Sequence, residues 1–271
     1  MKYLKEKYVL SNGVEIPKIG FGTWQIPKGN DAYKATLNAL NVGYIHIDTA
    51  FAYDNEFDVG RALKDSGLKR ENVFITSKLP SHIKDYNGAI KHMDETIKNL
   101  SLDYVDLYLI HAPWPWNEIG KDCKEGNLEV WKAIIEYYEK GYFRAIGVSN
   151  FNKDDIKYIV DGTGFMPHVN QIKYHIGFDQ SETIKYCNEN NILVEAYSPL
   201  GTGKILNDRE IINMANKYNV TPAQLCIKFC IDNNTLPLPK TVNKNRMIEN
   251  ANVDFKISES DLEILNKIQR S

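Results

Sequence analysis

One pattern restricts this chain more than any other: a short apolar run that turns polar at its end, followed by a helical stretch, again and again. Strands are predicted at 44–49, 73–79, 105–111, 144–149, 168–174, 193–198 and 236–240, with a fainter eighth at 253–256. Between them lie helical stretches such as "NGAIKHMDETIKNLS" and "NLEVWKAIIEYYEKG", several closing on the Gly that commonly stops a helix. Strands that alternate with helices imply a parallel sheet. Eight of them in 271 residues imply closure into an α/β barrel of the (β/α)8 TIM type, which takes about 250 residues. Before the alternation begins, "YVLSNGVEIPKIG" reads as a hairpin turning at Asn12-Gly13 and is expected to cap the bottom of the barrel. No linker or low-complexity segment interrupts residues 1–271, so one domain is expected.

Composition closes off other classes. A net charge of -2 argues against nucleic acid or an anionic membrane as the main partner. The N-terminus lacks an apolar leader, and no run approaches the roughly 18 apolar residues of a membrane span. Four cysteines in so long a chain do not make a disulfide framework, which points to the cytoplasm. Cys226 and Cys230 share a helix face without His or Asp partners and are expected in the core.

In barrels of this kind the chemistry sits at the C-terminal ends of the strands. Strand one of the pattern ends in Asp48, strand two in Lys78 and strand three in His111, with Tyr53 on the loop after the first. Period-two alternation puts Lys78 on the face of Phe74 and Thr76, and His111 on the face of Leu107 and Leu109. Each residue alone has an ordinary structural explanation: a helix cap, a solvated amine, a packed imidazole. His46, which shares the parity of Asp48, is assigned to the core. Three consecutive strands ending in Asp, Lys and His beside a Tyr are harder to dismiss. The group suits proton transfer to a carbonyl. A phenol is too weak an acid near neutrality, and a nearby cation lowers its pKa. Lys78 is that cation, Asp48 its counter-charge, and His111 a group to orient the substrate oxygen. No nucleophile and no metal site accompany them, so a reduction needs a hydride source.

There is no Rossmann fingerprint: Gly20-Phe-Gly22 leads into Thr-Trp-Gln, and no helix opens there. The usual phosphate site of a barrel lies after its seventh and eighth strands. There, in "LPLPKTVNKNRMIEN", Lys240, Lys244 and Arg246 crowd the start of a short helix predicted near Asn243. Cations are the wrong sign for that end of a helix, and a bound phosphate reverses the penalty.

At this level of detail the chain resembles the aldo-keto reductases over nearly its whole length. The matching stretches are "GFGTW", "HIDTAFAYDNE", "FITSKL", "DLYLIHAP", "AIGVSNF", "VNQIKYH", "AYSPLG" and "PKTVNKNRMIEN", in that order. The resemblance implies that Asp48, Tyr53, Lys78 and His111 form the catalytic tetrad, with Tyr53 as general acid. It implies NADPH/NADP+ as cofactor. Ser149, Asn150 and Gln171 match the residues that hold the carboxamide, and Tyr197 the ring that stacks on the nicotinamide. Gly22, Thr23, Ser198, Leu200 and Lys204 fall along the cofactor's path. Lys240, Thr241, Val242, Asn243 and Arg246 match the grip on the adenosine 2'-phosphate, and Glu249 and Asn250 the adenine contacts. Trp24, Ala112 and Trp114 are assigned to the substrate pocket. A small-molecule carbonyl is the expected partner, and a monomer the expected state.

Departures are visible too. Ala112 stands where Trp often follows the tetrad His, and "PWPW" comes next; Asn243 stands where Thr is common. The chain stops at Ser271, without the long C-terminal loop of larger members. These changes bear on which carbonyl is taken. A second reading, a non-catalytic NADPH-binding regulator or sensor of the same fold, does not require the tetrad that this chain keeps.

Overall fold

The computed structural model describes residues 1–269; Arg270 and Ser271, including the chain end noted above, lie outside the described residues. The chain opens with the expected hairpin, β1 (Lys7–Val9) against β2 (Glu15–Pro17), antiparallel. Its turn places Gly13 at φ +83°, a conformation that a side chain strains. Eight parallel strands follow in chain order around the barrel. They are β3 (Phe21–Gly22), β4 (His46–Asp48), β5 (Phe74–Leu79), β6 (Val105–Ile110), β7 (Phe143–Ser149), β8 (Val169–Lys173), β9 (Leu193–Tyr197) and β10 (Leu236–Leu238). The ring is brought together between β3 and β10, where the amides of Gly20 and Gly22 each donate at 3.1 Å to the carbonyls of Pro237 and Pro239.

One expectation is corrected. Residues 253–256 do not form the eighth strand; the segment from 252 to 258 carries no regular structure. Val253 and Ile257 are instead buried in the outer core. The missing strand is β3, at the start of the barrel. Two residues are too few to show a period of two, and glycines are needed there: a Cβ on Gly20 would lie 2.5 Å from Leu238 Cδ2 and 2.7 Å from His46 Nδ1.

The helices are α1 (Asn30–Val42), α2 (Glu56–Asp65), α3 (Tyr86–Leu100), α4 (Lys124–Glu139), α5 (Lys153–Thr163), α6 (Ser181–Glu189), α7 (Arg209–Lys217), α8 (Pro222–Asp232), α9 (Lys244–Ala251) and α10 (Glu259–Lys267). Local chemistry sets their starts. Asn152 and Asp155 make a reciprocal capping box on α5, and Thr221 and Gln224 make another on α8 with Pro222 at its first position.

Two apolar regions hold the layers. The larger packs helices on the outside of the sheet and takes in Cys226 and Cys230. The smaller fills the lower barrel with Phe74, Leu107, Leu109, Ala145, Val169, Leu236 and Leu238, and the hairpin plugs it from below with Leu10 and Ile16. The predicted parity of β5 and β6 therefore holds. Leucine and phenylalanine occupy the lower interior, and the next inward positions up the strands are left for polar groups.

Candidate active site

Above that plug the barrel interior turns polar. Asp48 is the last residue of β4 and Lys78 the penultimate residue of β5. Lys78 is fully buried. Its three N–H groups go to Asp48 Oδ1 at 2.7 Å, Asp48 Oδ2 at 2.8 Å and the Thr49 carbonyl at 2.9 Å. Burial pulls the Lys78 ammonium down, but Asp48, Tyr53 and Glu195 outweigh it, and its pKa lies above the ordinary lysine value.

A short 3-10 turn, Phe51–Tyr53, carries Tyr53 back over this pair. The turn is released by Asp54 in the left-handed region at φ +57°. The Tyr53 phenol oxygen lies 3.5 Å from Lys78 Nζ. Because Lys78 has spent its hydrogens elsewhere, this contact is mainly electrostatic, and the phenol hydrogen is left for a group in the barrel mouth. The sequence-based expectation of a lowered tyrosine pKa is only half right. Burial raises it, Lys78 lowers it, Asp48 raises it again, and the sum lies above the ordinary value.

His111 follows β6, its ring at 5.5 Å from that of Tyr53 in an edge-on arrangement. Burial and the Lys78 charge hold its imidazole down at about 3, so the ring is neutral near pH 7. Its Nδ1 is buried and has no hydrogen-bond partner among the described residues. Structure thus brings together Asp48, Tyr53, Lys78 and His111, as the sequence pattern required. His46 sits below them, bonded through Nε2 to Thr76 Oγ1 at 3.0 Å.

A second group of side chains lines the opposite wall. Ser149 Oγ donates to the Gln171 carbonyl at 2.8 Å. Asn150 donates to Ser149 Oγ at 3.0 Å and to the His111 carbonyl at 3.1 Å, and accepts from Tyr197 OH at 2.8 Å. Asn150 and Ser198 adopt φ of +61° and +52°, backbone strain concentrated at one rim of the site. Gly22 packs its backbone against Leu238 and Pro239, and Thr23 donates from both amide and hydroxyl to the Asp48 carbonyl. Leu200 precedes the turn Gly201–Asn207, which exposes Lys204.

Beyond β10, the predicted short helix is α9, and Asn243 is its cap. The Asn243 side chain already accepts from the amides of Asn245 and Arg246, and the Asn243 amide donates to Thr241 Oγ1. An anion here would therefore meet side chains more than free helix amides. Val242, Lys240, Lys244 and Arg246 are exposed, and among the described residues Lys204, Lys240, Lys244 and Arg246 form no ion pair. Glu249 accepts from Thr221 Oγ1, and Asn250 is buried.

At the mouth, Trp24 is exposed and Trp114 half-buried. Ala112 is fully buried, and its carbonyl accepts from Lys84 Nζ at 2.9 Å. Lys84 also reaches Asn127 Oδ1 at 2.6 Å, and burial lowers its ammonium to about 8. Two residues escaped the sequence reading. Trp116 brings its ring to 5.9 Å from His111 and 4.9 Å from Trp114; "PWPW" drew notice only as a departure. Glu195, buried on β9, bonds to Gln171; a carboxylate inside the apolar run "LVEAY", two residues before Tyr197, was the available signal.

Comparisons with known proteins agree with this geometry. Residues 18–270 match the model of the aldo/keto reductase family. The chain is 36% identical to a protein of Bacillus subtilis named glyoxal reductase, over 98% of this chain and 95% of that one. It is 38% identical to a Saccharomyces cerevisiae protein named glycerol 2-dehydrogenase (NADP(+)), over 96% and 90%. Among solved structures, an aldo/keto reductase from Brucella melitensis superposes with a TM-score of 0.90 at 36% identity, covering 97% of this chain and 98% of that one. With this match spanning the barrel and every motif at its mouth, the chain belongs to the aldo/keto reductase family of oxidoreductases.

Proposed function

We propose that this protein reduces small aldehydes, ketones or dicarbonyls to alcohols with NADPH, and that Tyr53 is the proton donor. The carrying observation is the fork of Asp48 around Lys78, with the Tyr53 phenol 3.5 Å away and its hydrogen free. When bound, the reduced nicotinamide supplies the hydride that the carbonyl carbon accepts. The residues of the chain do the rest. His111, neutral, donates a hydrogen bond that orients the carbonyl oxygen. As charge develops on that oxygen, the Tyr53 proton moves to it, and the adjacent Lys78 cation stabilises the phenolate left behind. Asp48 keeps Lys78 charged, so the amine does not attack the carbonyl.

The donor set fits the cofactor. Asn150, Ser149 and Gln171 present amide and hydroxyl groups beside the Tyr197 ring, suited to a carboxamide and a flat heterocycle. Lys240, Thr241 and Arg246 offer exposed cations and a hydroxyl for a phosphate dianion, with Lys204 nearer the pyrophosphate and Glu249 and Asn250 toward the adenine. Two relatives carry names in keeping with this reading, one a reductase of a dicarbonyl and the other NADP(+)-linked.

The test is the loss of NADPH absorbance with a panel of aldehydes, dicarbonyls and keto-sugars. Turnover with at least one class supports the reading. Tight NADPH binding without turnover of any carbonyl overturns it in favour of a non-catalytic sensor.

A further inference from the structure

Gln171 occupies an unusual position between two acids. Its Nε2 donates one hydrogen to Asp48 Oδ2 at 2.9 Å and the other to Glu195 Oε2 at 2.7 Å. Asp48 comes from β4, on the far side of the barrel interior, whereas Glu195 is the direct neighbour of Gln171 across the β8–β9 ladder. Both amide hydrogens are thereby committed. Gln171 Oε1 accepts from none of the described residues, so the carbonyl edge is the one left for a ligand. The reversed amide would set its oxygen against the Asp48 carboxylate, a repulsive arrangement in a buried site.

Asp48 alone cannot fix the amide so firmly. Its two oxygens are already shared with Lys78, and one contact leaves the amide free to pivot about it. Glu195 supplies the second point. It is fully buried, and its Oε1 has no hydrogen-bond partner among the described residues. A polar atom left unsatisfied in a barrel core costs stability, so packing does not account for an acid here.

We propose that Glu195 is a positioning residue. By holding Gln171 Nε2, it fixes the amide with Oε1 presented to the NH2 group of the cofactor carboxamide, and so sets the orientation of the nicotinamide. This rests on the NADPH reading above. The charged and titratable groups facing Glu195 are Asp48, Lys78 and His46, whose Nε2 is 3.8 Å from Oε1. Burial first, then Asp48, raise the Glu195 carboxyl to about 8. At pH 7 it is thus a neutral acceptor, and Asp48 alone balances Lys78. A glutamine at 195 mimics that neutral acid and keeps an acceptor oxygen; a methionine keeps the length and removes the acceptor.

The experiment measures dissociation constants by cofactor fluorescence for NADPH and for its 3-acetylpyridine analogue, in which a methyl replaces the carboxamide NH2. One neutral hydrogen bond corresponds to a preference of ~3–10-fold for NADPH in the wild type. Glu195→Met is expected to bring that ratio close to one, and Glu195→Gln to keep it. Glu195→Asp, which shortens the reach, is expected to fall between and decides the matter if the methionine variant does not fold. Unchanged preference in the Met and Asp variants overturns the proposal, as does equal loss in the Gln variant. A folded wild type with no affinity for NADPH overturns the cofactor reading itself, and this proposal with it.

Discussion

The Lys78 ammonium, fully buried in the barrel, lies in the fork of the buried Asp48 carboxylate, 2.7 Å from one oxygen and 2.8 Å from the other. Removing one partner strands the other charge, which typically costs about 3–5 kcal/mol. Lys78→Met is therefore expected to lower both activity and stability. The double variant Lys78→Met/Asp48→Asn is expected to recover much of the stability and none of the activity. Urea unfolding of the four proteins in the cycle gives the coupling; additive losses contradict a tight pair.

Tyr53→Phe keeps the ring against His111 and removes only the proton. Turnover is expected to fall by ~10²–10⁴ with NADPH affinity little changed. Stopped-flow reduction alongside a fluorescence titration separates the two; near-normal turnover would transfer the acid role to another group.

Stability should respond to pH through three buried groups. His46 and His111 are both depressed to about 3 by burial and by Lys78, against an ordinary 6.5. The unfolded chain binds their protons and the folded one does not, so stability falls as pH drops below 6.5, by about 1.4 kcal/mol per unit for each histidine. Glu195 acts in the opposite sense: raised from 4.5 to about 8, it holds a proton in the fold that the unfolded chain has released. Its contribution is lost as pH rises toward 8. Between 4.5 and 6.5 one of the two histidine terms is offset, and the three groups together are most favourable near 6.5. Denaturant midpoints at several pH values test this: Glu195→Gln should flatten the fall above 6.5 and steepen the rise between 4.5 and 6.5, where its offset is gone.

Arg246 and Lys240 are exposed cations without acidic partners among the described residues, close to the start of α9. Two charge-assisted bonds to a 2'-phosphate are worth ~10²-fold or more in binding. Arg246→Ala is expected to weaken NADPH far more than NADH, leaving turnover at saturating NADPH nearly intact. Equal losses at one ionic strength would mean that Arg246 supports the loop or the adenine.

Much of this was legible beforehand, for physical reasons. Strand ends that switch from leucine to Asp48, Lys78 and His111 announce a barrel mouth, because period-two alternation carries them inward. The hairpin at Asn12-Gly13 was equally plain. What escaped was whatever depends on contacts across the barrel. Phe21–Gly22 is too short to display a period, which leaves 253–256 as the more visible candidate for the eighth strand. The Tyr53 pKa depends on a contest between burial and Lys78 that no linear spacing encodes. Glu195 acquires meaning only beside Gln171, and Trp116 only once its loop has folded back onto His111.

The closure between β3 and β10 rests on two amides, those of Gly20 and Gly22, donating to carbonyls of two prolines that have no N–H to return. The seams from β4 round to β10 carry longer ladders of three to five paired residues, so the line along β3, with two pairs to β4 and two amides to β10, is where the cylinder can most easily part. It also runs from the Asp48 side of the mouth directly into Lys240. A cofactor gripped on both banks would act as a clasp, slowing exchange at the Gly20 and Gly22 amides while leaving the opposite wall, β6 against β7, unaffected.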